Sequence, residues 1–152
     1  MTNNTPYSQI YIPTVGKWSN ISSVLQLNNL SVGAGTVEAQ LTRAGQTVSG
    51  YMVLTLGAGF SVGTTPSFTV PYPLSNQREA IGWTGSVYDS STGDEYVISG
   101  YGISTTEIGF RMHEKATTKN VLLVALTSTD PIVFASGDKI SLVGTYKVAD
   151  GY

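Results

Sequence analysis

The sequence contains no cysteine, a single histidine and few charges. Without cysteine there is no disulfide framework, no thiolate ligand for a metal and no nucleophilic thiol. One histidine, His113, is too few for a zinc site built from imidazoles. A chain of 152 residues buries roughly 70% of its unfolded surface, so it folds without such staples, and neither a metal nor a cofactor is expected. Charged residues make up 12% of the chain, about half the usual share. The formal net charge of −2, with no cluster of Lys or Arg, argues against a nucleic-acid binder. No apolar run approaches the ~20 residues that span a bilayer, so membrane insertion is not expected. The start, Met1 to Thr14, lacks the basic head and apolar core of a secretory signal. The protein is therefore expected to reach its place of work from the cytoplasm in which it is made.

What the chain does have is glycine, 17 residues of it, together with Ser and Thr in place of charge. It also has period-two alternation. Val37, Ala39 and Leu41 alternate with Glu38, Gln40 and Thr42, the pattern of a half-buried strand. Arg43-Ala-Gly-Gln46 supplies a turn in which Gly45 accepts a positive φ. Val48, Met52, Leu54 and Leu56 resume the apolar face, with Thr47, Ser49 and Thr55 turned away. The rest of the chain is expected to lay further strands around this hairpin. The segment 21–30 suits a helical turn or a short strand, and 57–66 reads as a glycine-rich loop. Phe68 and Val70 mark a short strand ended by Pro71 and Pro73, and a longer strand opens at Ile81 and closes at the turn Asp89-Ser-Ser-Thr-Gly-Asp94. Further strands are expected over 96–103, 108–112, 121–126 and 139–148, the last with Ile140, Leu142, Gly144 and Tyr146 on one face. Even spacing, turn chemistry and the lack of a helical stripe indicate one all-β domain over 21–152, an antiparallel sandwich or barrel. Residues 1–20 form a polar lead-in.

The residues that carry chemistry elsewhere are thinly supported here. Gly59-Phe-Ser-Val-Gly63 has the spacing of a nucleophile elbow, but that motif acts only between a strand and a helix, and Thr64-Thr-Pro66 follows it. His113 falls opposite in parity to Ile108, Phe110 and Met112, so it is expected on the outer surface. Asp89, Asp94 and Glu95 cluster at a turn without the spacing of a calcium loop. Glu79 and Glu107 stand alone, so no carboxylate pair for glycoside hydrolysis is nominated. No phosphate-cradling loop occurs. No catalytic residue is assigned, and an enzyme is not expected.

Two sets of aromatics remain. Tyr72, Trp83, Tyr88, Tyr96 and Tyr101 are either core and edge packing or a surface for sugars or partners. Trp83, close to Ile81 and Val87, reads as core; Tyr88 and Tyr101 are the candidates for glycan or partner contact. In the lead-in, Tyr7, Ile10, Tyr11, Ile12 and Trp18 either pack along their own domain or anchor the chain to a larger assembly.

The run Gly33-Ala-Gly-Thr-Val-Glu-Ala-Gln-Leu-Thr-Arg-Ala-Gly-Gln-Thr-Val48, followed by Phe68-Thr-Val-Pro71, resembles the C-terminal domains of bacteriophage tail-fibre and minor tail proteins, notably of phages that infect actinobacteria. The second half continues the resemblance: Ile81-Gly82, the turn Asp89-Ser-Ser-Thr-Gly93, then Asp130-Pro-Ile-Val-Phe-Ala-Ser-Gly-Asp138 leading into Ile140-Ser-Leu-Val-Gly-Thr-Tyr146. It covers roughly residues 16–149, and its motifs are turns and strand ends. The resemblance implies a jelly-roll-like β-sandwich assembled as a homotrimer on the virion surface, attached to a major capsid protein or a tail protein, with host cell-surface glycans as a further partner. Those domains sit at the end of a long shaft. Here only about 15 to 20 residues precede the domain, without coiled-coil heptads. The expectation is thus a complete small gene product of the capsid-decoration type, mounted through its arm, with a receptor-binding tip as the alternative.

Overall fold

The structure is a computed structural model and describes residues 17–115 and 121–152. Ten strands are present among them: β1 (Ser19–Asn20), β2 (Leu27–Ser31), β3 (Thr36–Ala44), β4 (Thr47–Thr55), β5 (Ser61–Thr69), β6 (Trp83–Tyr88), β7 (Glu95–Ser104), β8 (Glu107–Lys115), β9 (Val121–Ala125) and β10 (Lys139–Lys147). All pair antiparallel in one sheet of order β1-β3-β4-β10-β6-β7-β8-β5-β2, with β9 beside β8. The protein is all-β, as expected.

The sheet curls because its two edges belong to one stretch of chain. β1 pairs with β3 at Ser19 and Leu41, while β2 pairs with β5 at Leu27 and Phe68. Between them residues 21–26 cross from one edge to the other. The Ile21 N–H donates to the Ala39 carbonyl at 2.9 Å, and the Thr69 N–H donates to the Gln26 carbonyl at 2.9 Å. One stretch of chain thus pairs at both ends of the strand order, through β1 and β2, which draws the two ends together.

The hairpin forms as its alternation predicts. β3 and β4 pair from Thr36 with Thr55 to Ala44 with Thr47, and Gly45 takes φ 59° in the turn. Ala39, Leu41, Val48, Met52, Leu54 and Leu56 are buried. β10 does not close the sheet at an edge but inserts between β4 and β6, where Ile140, Leu142 and Tyr146 join the core. Trp83 is its centre. Gly50 pairs with Gly144, and Gly144 with Trp83, in one row across β4, β10 and β6. A Cβ at Gly144 would lie 2.6 Å from the Trp83 Cα, and one at Gly50 would lie 3.1 Å from the far end of the indole. The missing side chains make the slot in which the indole lies. Phe68 meets Trp83 edge-on at 5.6 Å and Phe110 at 6.0 Å, pairs worth about 0.5–1.5 kcal/mol each beyond area burial.

Two expectations are corrected. Residues 61–66 are not loop but the first part of β5. Gly63 to Pro66 sit in a bulge: Leu30 pairs with Val62 and Asn28 with Ser67, leaving only Asn29 opposite four residues. Thr65 takes φ 55° and Asn29 φ 51° there, so the proline removes no ladder bond. Ile81 and Gly82, expected to open a strand, instead end a 3-10 helix, Gln77–Gly82. Asn76 caps it, its side-chain oxygen accepting from the Arg78 N–H at 2.9 Å, and the strand begins at Trp83.

Candidate functional site

With the core on the inner face, the outward residues of β3, β4, β10, β6, β7 and β8 form a continuous outer surface. One row runs Gln40, Tyr51, Val143, Thr84, Ser99, Arg111, and the next runs Glu38, Val53, Ser141, Ser86, Val97. On the four central strands these rows hold no charge. Val143 and Val97 are 58% and 63% exposed, and Leu123 on β9, across from His113, is 51% exposed. Charges stand at the borders, Glu38 on β3 and Arg111 on β8.

At one end of this surface lies a shallow depression of about 270 Å³, lined by Val53, Ser86, Tyr88, Glu95, Lys139 and Ser141. The three strands bring its polar groups together: Tyr88 pairs with both Glu95 and Lys139. The Ser86 and Ser141 hydroxyls are 3.2 Å apart. An aromatic ring beside a carboxylate, an ammonium and hydroxyls suits a polyol that offers one apolar face and several O–H groups. Tyr101 differs. The Arg111 guanidinium lies 3.9 Å over its ring, and a Cβ at Gly109 would come within 2.7 Å of it, so the ring is already packed between neighbours. Burial raises its phenol, against the pull of Arg111.

The other aromatics divide as follows. Trp83 is buried, Tyr96 packs partly buried against the core, and Tyr72 is half-buried with the Arg43 guanidinium 4.6 Å over its ring. Of the candidate anchor residues, Tyr7, Ile10, Tyr11 and Ile12 lie outside the described residues. Trp18 is 54% exposed, with its ring 6.2 Å from that of Tyr51 on the outer surface. Partial burial and a hydrogen bond to Glu38 raise the Tyr51 phenol.

The remaining polar groups are committed to structure. Ser61 starts β5, so strand and not helix leaves it. His113 is exposed, as its parity predicts, with Nε2 3.2 Å from the Ser99 hydroxyl. Glu107 is not isolated. Its carboxylate accepts from the hydroxyl of fully buried Ser67 and, at 3.0 Å, from Asn28 Nδ2, joining β8, β5 and β2. Asp89 forms a plain turn. Its Oδ1 accepts from the Ser91 hydroxyl at 2.6 Å and the Ser91 N–H at 2.8 Å, which hold its carboxyl below the ordinary value. Asp138, fully buried, accepts from the Ser90 N–H and hydroxyl and from the Ala135 N–H at 2.7–2.9 Å, and so clamps the β6–β7 turn to the loop before β10. No cluster of His, Cys, Asp or Glu suited to a metal occurs among the described residues.

The sequence reading missed the exposed valines and the role of Asp138. A signal for the first was present: Val97-Ile98 and Leu142-Val143 are adjacent apolar pairs within strands, which place an apolar group on each face. Asp138 stands among turn residues and resembles any other loop aspartate.

Compared with known proteins, the chain matches no protein-family model, no curated protein and no solved structure.

Proposed function

We propose that this chain is a non-enzymatic structural protein of a bacteriophage virion surface, a homotrimer of jelly-roll-like β-sandwiches of the capsid-decoration or head-fibre type. The observation that carries the reading is the coincidence between the residues that resemble tail-fibre heads and those on which this fold turns. Gly45 makes the central hairpin turn, Asp89 and Gly93 make the β6–β7 turn, Asp138 clamps that turn to the next loop, and β10 fills the centre of the sheet. A weakly charged, hydroxyl-rich outside and polar groups tied into turns suit a scaffold better than a reaction centre.

The test is copy number, measured by quantifying the chain against the major capsid protein in purified particles. Near-stoichiometric amounts are expected, and a variant lacking residues 1–18 should fold but no longer join particles. Absence from particles, or unchanged incorporation of the shortened chain, counts against it. A second reading, a tail tip that binds host cell-surface glycans, is favoured by the depression around Tyr88. It predicts a few copies per particle and weaker binding to host cells for Tyr88→Ala than for wild type, with a smaller effect for Tyr101→Ala because its ring is occupied by Arg111.

A further inference from the structure

The depression around Tyr88 is built on one row of the sheet. Glu95, Tyr88 and Lys139 are partners on the adjacent strands β7, β6 and β10. The next row, Tyr96, Val87 and Ile140, packs into or against the core, so alternation turns all three outward. Strands lie about 4.8 Å apart, so the backbones that carry the carboxylate and the ammonium stand about 10 Å from one another, with the ring between them. Neither charge is committed. Glu and Lys directly opposite on neighbouring strands would pair, but here the tyrosine separates them, and Lys139 makes no ion pair or side-chain hydrogen bond among the described residues. The Glu95 side chain accepts only from the Ser86 hydroxyl, at 3.5 Å, among those residues. By contrast, Glu38, Glu79, Asp89, Glu107, Asp130 and Asp138 each accept a hydrogen bond of 3.2 Å or less.

The ring is open in the same way. Guanidinium groups cover Tyr72 and Tyr101, and no cation lies over Tyr88 among the described residues. Beside it the Ser86 and Ser141 hydroxyls, 3.2 Å apart, offer donors and acceptors. A neutral sugar would use the ring and the hydroxyls and leave both charges idle. An anionic one would meet Lys139 but be opposed by Glu95, and a cationic one the reverse. A ligand with both charges, set about the length of a disaccharide apart, matches the whole row. We infer that the depression takes a zwitterionic saccharide. Its ammonium lies beside Glu95, one ring face on Tyr88, its hydroxyls at Ser86 and Ser141, and its acidic group beside Lys139. The inference rests on the glycan-binding reading of this depression and names the charge of the glycan.

The experiment is an NMR titration of the purified full chain at about pH 6, where carboxylates and amines are both charged. The probe is a disaccharide of glucosamine, its amine free, and glucuronic acid. It is compared with its N-acetylated form, with the analogue that has glucose in place of the acid, and with glucosyl-glucose. Removing either charge from the probe should weaken binding about three- to fivefold, as an exposed charge pair does, and Tyr88→Ala should weaken the intact probe about tenfold. Glu95→Gln should bind the free-amine and N-acetylated forms equally yet still prefer the acid, and Lys139→Gln should do the reverse. Both side chains are exposed, so both variants should keep the wild-type circular dichroism spectrum. If all four disaccharides bind alike and Tyr88→Ala weakens each, the charge inference is overturned and the glycan reading stands. If 6-aminohexanoate binds as tightly as the probe, the saccharide is overturned, because the charges alone suffice. No binding by any of the four overturns the inference as well, and the glycan reading is then judged by the host-cell comparison alone.

Discussion

The two faces of the central strands use small residues to opposite ends. On the inner face of β4 and β10, Gly50 and Gly144 leave room that one large side chain, Trp83, fills. On the outer face of β10 and β6, Ser141, Thr84 and Ser86 lie beside exposed valines without burying them. Inside, a vacancy is shaped for a single known occupant of the same chain. Outside, a surface of valines and hydroxyls is left open, with Glu95 and Lys139 at one end. The contrast teaches that little side-chain bulk means high specificity where a neighbouring side chain is fixed to fill the space, and carries no such specificity on a face left in solvent.

The sharpest way to break this contrast is to empty the inner slot. Trp83→Ala removes the indole from Gly50, Gly144 and Phe68 at once. It should cost about 3–5 kcal/mol, the range for large aromatic-to-alanine changes in a core. Since stabilities of whole domains run to only about 5–15 kcal/mol, the variant should unfold at much lower urea or fail to accumulate folded. Trp83→Phe should cost less. It keeps most of the apolar contact and removes a buried indole N–H that has no hydrogen-bond partner among the described residues, a group that costs about 1–3 kcal/mol to leave unpaired. If urea unfolding finds alanine and phenylalanine equal, the glycine slot is not what holds the ring.

The inner face was largely legible in the sequence, and the reason is periodicity. Val37 to Leu56 and Ile140 to Tyr146 alternate cleanly, so strand, turn and buried face follow from spacing. Where spacing failed, local chemistry won. Pro66 and Gly63 read as loop because a regular ladder excludes them, yet a bulge opposite Asn29 absorbs both. The helix Gln77–Gly82 was hidden because Ile81 falls in phase with Trp83 and Val87 of β6, while Asn76 with Glu79 three residues on was the cap signal that mattered. The order in which strands pair, with β10 entering between β4 and β6, has no signature in a strand's own pattern, because it depends on contacts between distant segments. The Tyr88 depression was legible only as a tyrosine: Glu95 and Lys139 join it through pairings that linear spacing does not reveal.

Between the two faces, at the end of the sheet, the contrast reappears in two carboxylates. Asp138 is fully buried and satisfies three donors, two of them backbone N–H groups. Asp138→Ala strands those donors and should cost about 2–3 kcal/mol, read from the urea midpoint. Asp138→Asn keeps one acceptor and should fall in between. If alanine is tolerated within about 0.5 kcal/mol, as at an ordinary surface site, the β6–β7 turn does not depend on the clamp.

Asp89 is the less buried counterpart, one residue before Ser90 and two past buried Val87, and its effect should be smaller and of a different kind. The Ser91 hydroxyl, then the Ser91 and Thr92 N–H groups, stabilise its charged form and lower its pKa in the folded protein. A carboxylate with a depressed folded-state pKa adds stability above its unfolded value and loses that stability as pH falls through the folded one. Wild type should therefore melt above Asp89→Ala at about pH 7, and the gap should close as the acid is titrated towards about pH 2. Thermal melts of both proteins across that range decide it. A gap that is the same at both ends would mean that alanine perturbs the turn through backbone preference alone.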